Sequence, residues 1–191
     1  MRLFTALDLP ADVAGNLEDL LRILRRAARI HWSPAANLHI TTKFIGEWPE
    51  ERLAELKSAL AAVPGRAPID LCLHRLGFFP DARRPRAFWV GIDAPGLTSL
   101  AADTDRAAGG LGIAPESRPF SPHLTLARIR DRDQLDLQGL HRAIAGLPST
   151  EFGSFQARSF CLYLSQLRPS GSVYTKLAEF SLSPEMIPLP K

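Results

Sequence analysis

Sulfur is scarce in this chain: its 191 residues include two cysteines, Cys72 and Cys161, and two methionines. Two cysteines standing far apart in apolar, strand-like runs exclude a disulfide-built scaffold and a CxxC zinc site. No apolar run approaches the roughly 18 residues of a membrane helix. The opening MRLFTALDLP also lacks the basic-then-apolar layout of a secretory leader. A one-signed charge is missing too, since 23 Lys and Arg stand against 20 Asp and Glu, for a formal net charge of +3. That balance admits an anionic partner but falls short of a dedicated DNA-binding domain. The excess is mostly arginine, whose planar donor fork suits phosphate better than lysine does. With 46% hydrophobic and 23% charged residues the composition is globular, and disorder is excluded. The expectation is a single domain over residues 1–191, cytoplasmic, away from membranes and monomeric, with both thiols reduced and buried.

Periodicity orders the chain as β-α-β-α-β-β-α-β-α-β-β, with no flexible linker. Leu3 to Leu9 reads as a buried strand closed by Pro10. Val13, Leu17, Leu20, Leu24 and Ala27 then recur at helical spacing, with Arg22, Arg25, Arg26 and Arg29 mostly on the solvated side. Leu38 to Ile45 reads as a strand, followed by a helix carrying Leu53, Leu56 and Leu60 that Pro64-Gly65 stops. Strands are expected over Ile69–Leu76 and Arg86–Ile92, with an irregular segment from Gly77 to Pro85. A helix from Leu97 to Leu111, an extended proline-rich piece, a strand from His123 to Ile129 and a short helix with Leu140, Ile144 and Leu147 follow. The chain closes as a hairpin, Phe155–Leu167 with Val173–Leu182, turned by Arg168-Pro169-Ser170-Gly171.

One feature repeats. Leu38-His39-Ile40-Thr41 and Pro122-His123-Leu124-Thr125 are both strand segments that follow a loop and precede a helix, and their histidines lie 84 residues apart. The recurrence suggests two similar lobes facing each other, with a period too long for a solenoid. Side chains at i and i+2 of a strand leave the same face, so each unit offers an imidazole beside a hydroxyl. Two such units around one cavity meet the needs of in-line attack on a phosphodiester. One neutral histidine takes a proton from the nucleophile and one protonated histidine gives a proton to the leaving oxygen. The threonine hydroxyls hold the non-bridging oxygens. The spacing does not say which histidine is acid and which is base. His31, His74 and His141 lack such a companion and read as structural. Two distant histidines without a third ligand or an acidic partner at i+3 or i+4 do not spell zinc, so no metal is expected.

Basic residues extend the pattern. Lys43 shares the face of His39 and Thr41 if the strand stays regular. Arg128 falls on the opposite alternation from His123, so it reaches the cavity only across a bulge or bend beyond Thr125. Arg83, Arg84 and Arg86, flanked by Phe78, Phe79, Phe88 and Trp89, combine charge with aromatic surface in the manner of single-stranded RNA sites.

On these residues the chain resembles the 2H phosphoesterase superfamily, and within it the RNA 2′,3′-cyclic phosphodiesterases, also called 2′-5′ RNA ligase-like proteins. Arg2 to Pro10 resembles the family's opening strand, and Asn37-Leu-His-Ile-Thr-Thr-Lys-Phe-Ile-Gly-Glu47 its first HxTx motif. Arg86-Ala-Phe-Trp-Val-Gly91 resembles the central strand and Phe120-Ser-Pro-His-Leu-Thr-Leu-Ala-Arg128 the second motif. Leu162, Tyr163, Ser165, Gly171, Tyr174 and Leu177 are similar to the closing hairpin. The resemblance implies an α+β fold of two lobes with an antiparallel-rich sheet in each and the motifs lining the cleft between them. It implies hydrolysis of an RNA 2′,3′-cyclic phosphate end to a 2′-phosphate without metal or other cofactor. His39 would then protonate the departing 3′ oxygen and His123 would activate water. Thr41 and Thr125 match phosphate-binding threonines, Arg128 a commonly basic position, and Lys43 a variable one. ATP-independent 2′-5′ RNA ligation at the same site is the alternative activity, and a non-catalytic module that binds RNA ends is the alternative class.

Overall fold

The computed structural model describes residues 1–130, 133, 136–169 and 171–183. Nine strands form two antiparallel sheets, and four α-helices pack between and behind them. The strands are β1 (Arg2–Leu7), β2 (His31–Trp32), β3 (Ile40–Glu47), β4 (Ile69–Phe79), β5 (Ala87–Asp93), β6 (His123–Arg128), β7 (Glu151–Ala157), β8 (Ser159–Arg168) and β9 (Gly171–Ser181). The helices are α1 (Ala11–Leu24), α2 (Leu53–Ala61), α3 (Pro95–Gly109) and α4 (Leu137–Ala145).

The first sheet has the order β3-β1-β8-β9 and the second β2-β6-β5-β4-β7. Apart from the short edge strand β2 the two orders are equivalent, each placing a motif strand at one side of a four-stranded core. The equivalence extends to the helices. α1, which joins β1 to the first motif, packs against β7 and α4, whereas α3, which joins β5 to the second motif, packs against β3 and α2. Each lobe therefore buries a helix supplied by the other half of the chain. This exchange explains why no linker divides the sequence and why one hydrophobic cluster runs through both sheets.

Local signals account for most elements. Val13, Leu17, Leu20, Leu21 and Leu24 of α1 are all buried, and each contributes roughly 1.5–3 kcal/mol by leaving water. Pro95 opens α3, where its missing N–H costs nothing. The Asp136 side chain caps α4 by accepting from the Gly139 amide at 2.7 Å. Among the described residues no helix is long and apolar enough to cross a membrane.

Four expectations change. Gly77 to Phe79 continue β4, in register with β5 through Gly77–Trp89 and Phe79–Ala87, so the irregular segment begins only at Pro80. The strand expected from Phe155 to Leu167 is two strands, broken at Arg158. β7 pairs with β4 in the second sheet and β8 with β1 in the first, so this single residue carries the chain between lobes. His31–Trp32 forms an additional edge strand on β6, too short to carry a periodic signal. Finally, Cys161 is buried but Cys72 is only partly so; both are free thiols. Of the expected closing turn, Ser170 lies outside the described residues.

Candidate active site

The two motifs are built alike to the level of single residues. From His39 to Phe44 and from His123 to Arg128 the burial pattern is the same: part-buried, buried, part-buried, buried, buried, exposed. Both strands also carry a β-bulge at the same place. Ala6 pairs with Thr41 and Thr5 with Lys43, leaving Thr42 unpaired. Trp89 pairs with Thr125 and Phe88 with Ala127, leaving Leu126 unpaired. Each bulge directly follows the motif threonine, where it bends the strand and shifts the alternation by one residue. Buried Thr42 is accommodated by a 2.7 Å hydrogen bond between its hydroxyl and that of Thr5. Leu126, its counterpart, is simply packed in the core.

The imidazoles are held alike as well. Nδ1 of His39 bonds the Asn37 carbonyl at 2.7 Å, and Nδ1 of His123 bonds the Ser121 carbonyl at 2.7 Å. A carbonyl only accepts, so each Nδ1 carries a proton and donates it, and each Nε2 is the nitrogen left for chemistry. Among the described residues neither Nε2, nor the hydroxyl of Thr41 or Thr125, has a hydrogen-bond partner in the protein. His39 lies just before β3, while His123 opens β6. β3 and β6 contact each other across the junction of the lobes.

Aromatic walls set each ring. The His39 ring stands 4.7 Å from Phe4 and edge-on to Tyr174 at 5.2 Å. The His123 ring stands edge-on to Phe79 at 5.0 Å, and Phe79 leans on Trp89 at 5.1 Å. Asn37 also donates its side-chain amide to the Ser172 carbonyl at 2.7 Å, tying the His39 anchor to the strand that bears Tyr174. Ser33 braces the second bulge, its amide donating to Leu126 at 2.8 Å and its hydroxyl to the Thr125 carbonyl at 3.2 Å.

Electrostatics act on His39. Burial is the largest influence on His39 and lowers its pKa below the ordinary 6.5. The bond to Asn37 opposes this, the Arg128 guanidinium adds to the lowering, and the Asp8 carboxylate opposes it again. Arg128 of the second motif is thus close enough to act on the histidine of the first. Asp8 anchors a small polar cluster. Burial alone would raise its carboxyl, but bonds from Lys176 (2.7 Å) and the Tyr163 hydroxyl lower it on balance. The Cys161 thiol, buried beside Asp8, is pushed up to about 12 and stays protonated.

The bulges decide where the two basic candidates go. The Arg128 position requires a bulge beyond Thr125 to reach the cleft, and Leu126 supplies it. In β3 the same device turns Lys43 away from His39 and Thr41, against the expectation of a regular strand. Its ammonium is buried beneath α3, 2.6 Å from Asp105, 3.6 Å from Glu116 and donating to the Ala114 carbonyl at 2.8 Å. The remaining histidines lie outside the constellation: His31 is exposed on β2, His74 faces Arg75, and His141 packs on Phe78. Among the described residues no three His, Cys, Asp or Glu side chains cluster as a metal site. Sequence patterning missed Asn37 and Ser121, although both stand two residues before a motif histidine. It also missed Phe4, Asp8 and the place of Phe79 against His123, all of which depend on strand pairing.

A family model described as LigT-like phosphoesterase matches the chain twice, over residues 7–89 and 90–174, one motif in each match. An RNA 2′,3′-cyclic phosphodiesterase of Methanocaldococcus jannaschii is 31% identical over 94% of this chain and 100% of that protein. The crystal structure of the Thermus thermophilus protein TT0787 superposes with a TM-score of 0.80 at 31% identity, over 97% of this chain and 100% of that one. E. coli LigT complexed with 3′-AMP gives 0.77 at 26% identity, over 96% and 98%. With both halves matched and the relatives aligned end to end, the chain belongs to the LigT-like phosphoesterase family.

Proposed function

We propose that this protein hydrolyses RNA 2′,3′-cyclic phosphate ends to 2′-phosphates by acid/base catalysis between His39 and His123, without a metal. The observation that carries the reading is the pair of identically anchored imidazoles on equivalent bulged strands. In this reading the two Nε2 atoms and the two threonine hydroxyls face one cleft, and the contact of β3 with β6 supports it. The curated relative from Methanocaldococcus jannaschii bears the corresponding name, and the E. coli LigT structure holds a nucleotide, 3′-AMP.

In this reading His123 Nε2 accepts a proton from water as its oxygen bonds to phosphorus. The bond from phosphorus to the 3′ oxygen breaks, and protonated His39 Nε2 delivers its proton to that oxygen. The products are a 2′-phosphate and a free 3′ hydroxyl. Thr41 and Thr125 donate to the non-bridging oxygens, and Arg128 balances their charge. Burial and Arg128 keep His39 neutral in the empty site. A bound phosphodiester anion offsets both effects, so the acid becomes protonated as substrate arrives.

The test is product analysis on a short RNA with a 2′,3′-cyclic end, in the wild type and in His39→Ala and His123→Ala. The expected outcome is a 2′-phosphate from the wild type, undiminished by chelator, and a loss of roughly 10²–10⁴-fold or more in each variant. Undiminished turnover in both variants, or loss on chelation with recovery on zinc, sinks the reading. Joining to a 5′-hydroxyl RNA would instead assign ligation, and binding without turnover a non-catalytic module.

A further inference from the structure

A cationic hollow lies beyond the end of β6, outside the site described above. Arg84, Pro85, Arg86, Ile129 and Arg130 line a cavity of about 230 Å³. Backbone hydrogen bonds fix its walls: the Ile129 amide donates to the Arg86 carbonyl at 2.9 Å, and the Arg86 amide to the Phe79 carbonyl at 2.6 Å. Phe79 is the ring that stands against His123. Two short routes therefore join the hollow to the second motif, one through Phe79 to His123 and one through Ile129 to Arg128.

Pro85 and Ile129 are buried and give the hollow an apolar floor, while Arg84, Arg86 and Arg130 are exposed around it. Among the described residues, two nearby carboxylates shape the loops through backbone amides. Asp81 accepts the amides of Arg83 and Arg84 at 2.7 and 3.1 Å, and Asp133 accepts the amide of Arg130 at 2.8 Å. Among the described residues, the guanidinium groups of Arg84 and Arg130 have no hydrogen-bond or ion-pair partner. Two such cations lining one hollow repel each other, and an anion between them offsets the repulsion.

We propose that this hollow binds a backbone phosphate of the RNA chain upstream of the reacting end. Guanidinium forks match a phosphate diester, and the apolar floor suits the sugar beside it. The Phe79 ring borders His123 and its carbonyl holds the Arg86 amide at the hollow, so in this proposal the chain follows the Phe79 wall from a terminal phosphate at the histidines to the hollow. The inference rests on the hydrolase reading and adds a consequence. The enzyme prefers an oligonucleotide with a cyclic end to a cyclic mononucleotide, because only the former spans both sites.

The test compares a short RNA bearing a 2′,3′-cyclic end with a 2′,3′-cyclic mononucleotide, in wild type and in an Arg84→Ala, Arg130→Ala double variant of unchanged melting temperature. For the oligonucleotide, kcat/KM should fall about tenfold through KM, with a shallower dependence on salt. For the mononucleotide it should not change. An equal fall for both substrates, or none for the oligonucleotide, overturns the proposal. If the wild type turns over neither substrate, the hydrolase reading fails separately. Fluorescence anisotropy with the same 5′-labelled RNA then decides: weaker binding by the double variant supports the hollow and unchanged binding overturns it. Competition by an acidic peptide as strong as that by unlabelled RNA would assign a protein partner and also overturn it.

Discussion

Thr42 and Leu126 occupy equivalent places in the two lobes: each is the unpaired residue of a bulge, and each directly follows a motif threonine. Beyond a bulge the alternation resumes one residue out of step, so the fifth residue after the histidine returns to the imidazole's face and the fourth does not. In the second motif the fifth residue is Arg128. In the first it is Phe44, half-exposed and 6.4 Å from Phe4. A symmetric backbone thereby presents a cation from one lobe only. The proposed mechanism, in which the two histidines hold opposite protonation states, uses such an asymmetry, and the guanidinium of Arg128 lowers the pKa of His39.

The bulges separate the effects of the two cations. Arg128→Ala removes an exposed charge that the proposed function assigns to the phosphate, and it should lower kcat/KM by roughly 10²-fold with little change in stability. Lys43→Met removes a buried ammonium and leaves Asp105 without its 2.6 Å partner. Asp105 keeps some contact with water, so the cost should be roughly 2–3 kcal/mol, lowering Tm by about 4–12 °C. Its kcat/KM should stay close to wild type. Thermal melts and kinetics on both variants check this; a Lys43 variant that melts normally but is inactive would put its ammonium back at the phosphate.

The lowered pKa of His39 gives a second prediction, read by NMR titration of its ring. The His39 resonance should titrate below 6.5 in the empty protein. It should move up in Arg128→Ala, which removes a cation, and down in Asp8→Asn, which removes an anion. Binding of a 2′-phosphate product should move it up. The consequence for stability follows from the sign: the unfolded chain takes a proton near 6.5 while the folded chain does not. The contribution of His39 to stability is complete above that pH and is lost as pH falls through the lowered folded value. Melts between pH 7 and 5 should show a smaller loss in His39→Gln than in the wild type.

The sequence carried the paired motifs, because a histidine and a threonine two apart in an apolar strand leave a mark that alternation can read. It also carried the four α-helices described, most clearly α1 with its buried stripe of Val13, Leu17, Leu20 and Leu24. The bulges were not legible. Nothing in Thr41-Thr42-Lys43 announces an unpaired residue, since the bulge is a property of pairing with β1, and Lys43 was misplaced for that reason. For the same reason, the break at Arg158 was hidden in a continuous strand-forming run. The sheet to which each half belongs is set by partners more than a hundred residues away in the chain for β8. The aromatic walls of the histidines likewise come from β1, β4 and β9, which only tertiary pairing brings together.

The wall of His123 yields the last prediction. Gly77 and Trp89 are directly paired across β4 and β5, and the indole lies over the glycine. A Cβ built on Gly77 would overlap the outer ring of Trp89, so the indole must move in Gly77→Ala. Trp89 supports Phe79, and Phe79 supports His123, so displacement is passed to the imidazole. Gly77→Ala should cost roughly 1–3 kcal/mol by overpacking and lower kcat more than KM. Phenylalanine lacks the outer ring that a Cβ at 77 would meet. Trp89→Phe also removes an indole N–H that is buried without a hydrogen-bond partner among the described residues, so by itself it should be mild. Combined with Gly77→Ala it should recover stability, with a coupling of about 1 kcal/mol or more in a double-mutant cycle. Denaturant melts and kcat on the four proteins measure it. Strict additivity would show that Gly77 is required for some other reason, and that the His123 wall does not depend on the indole.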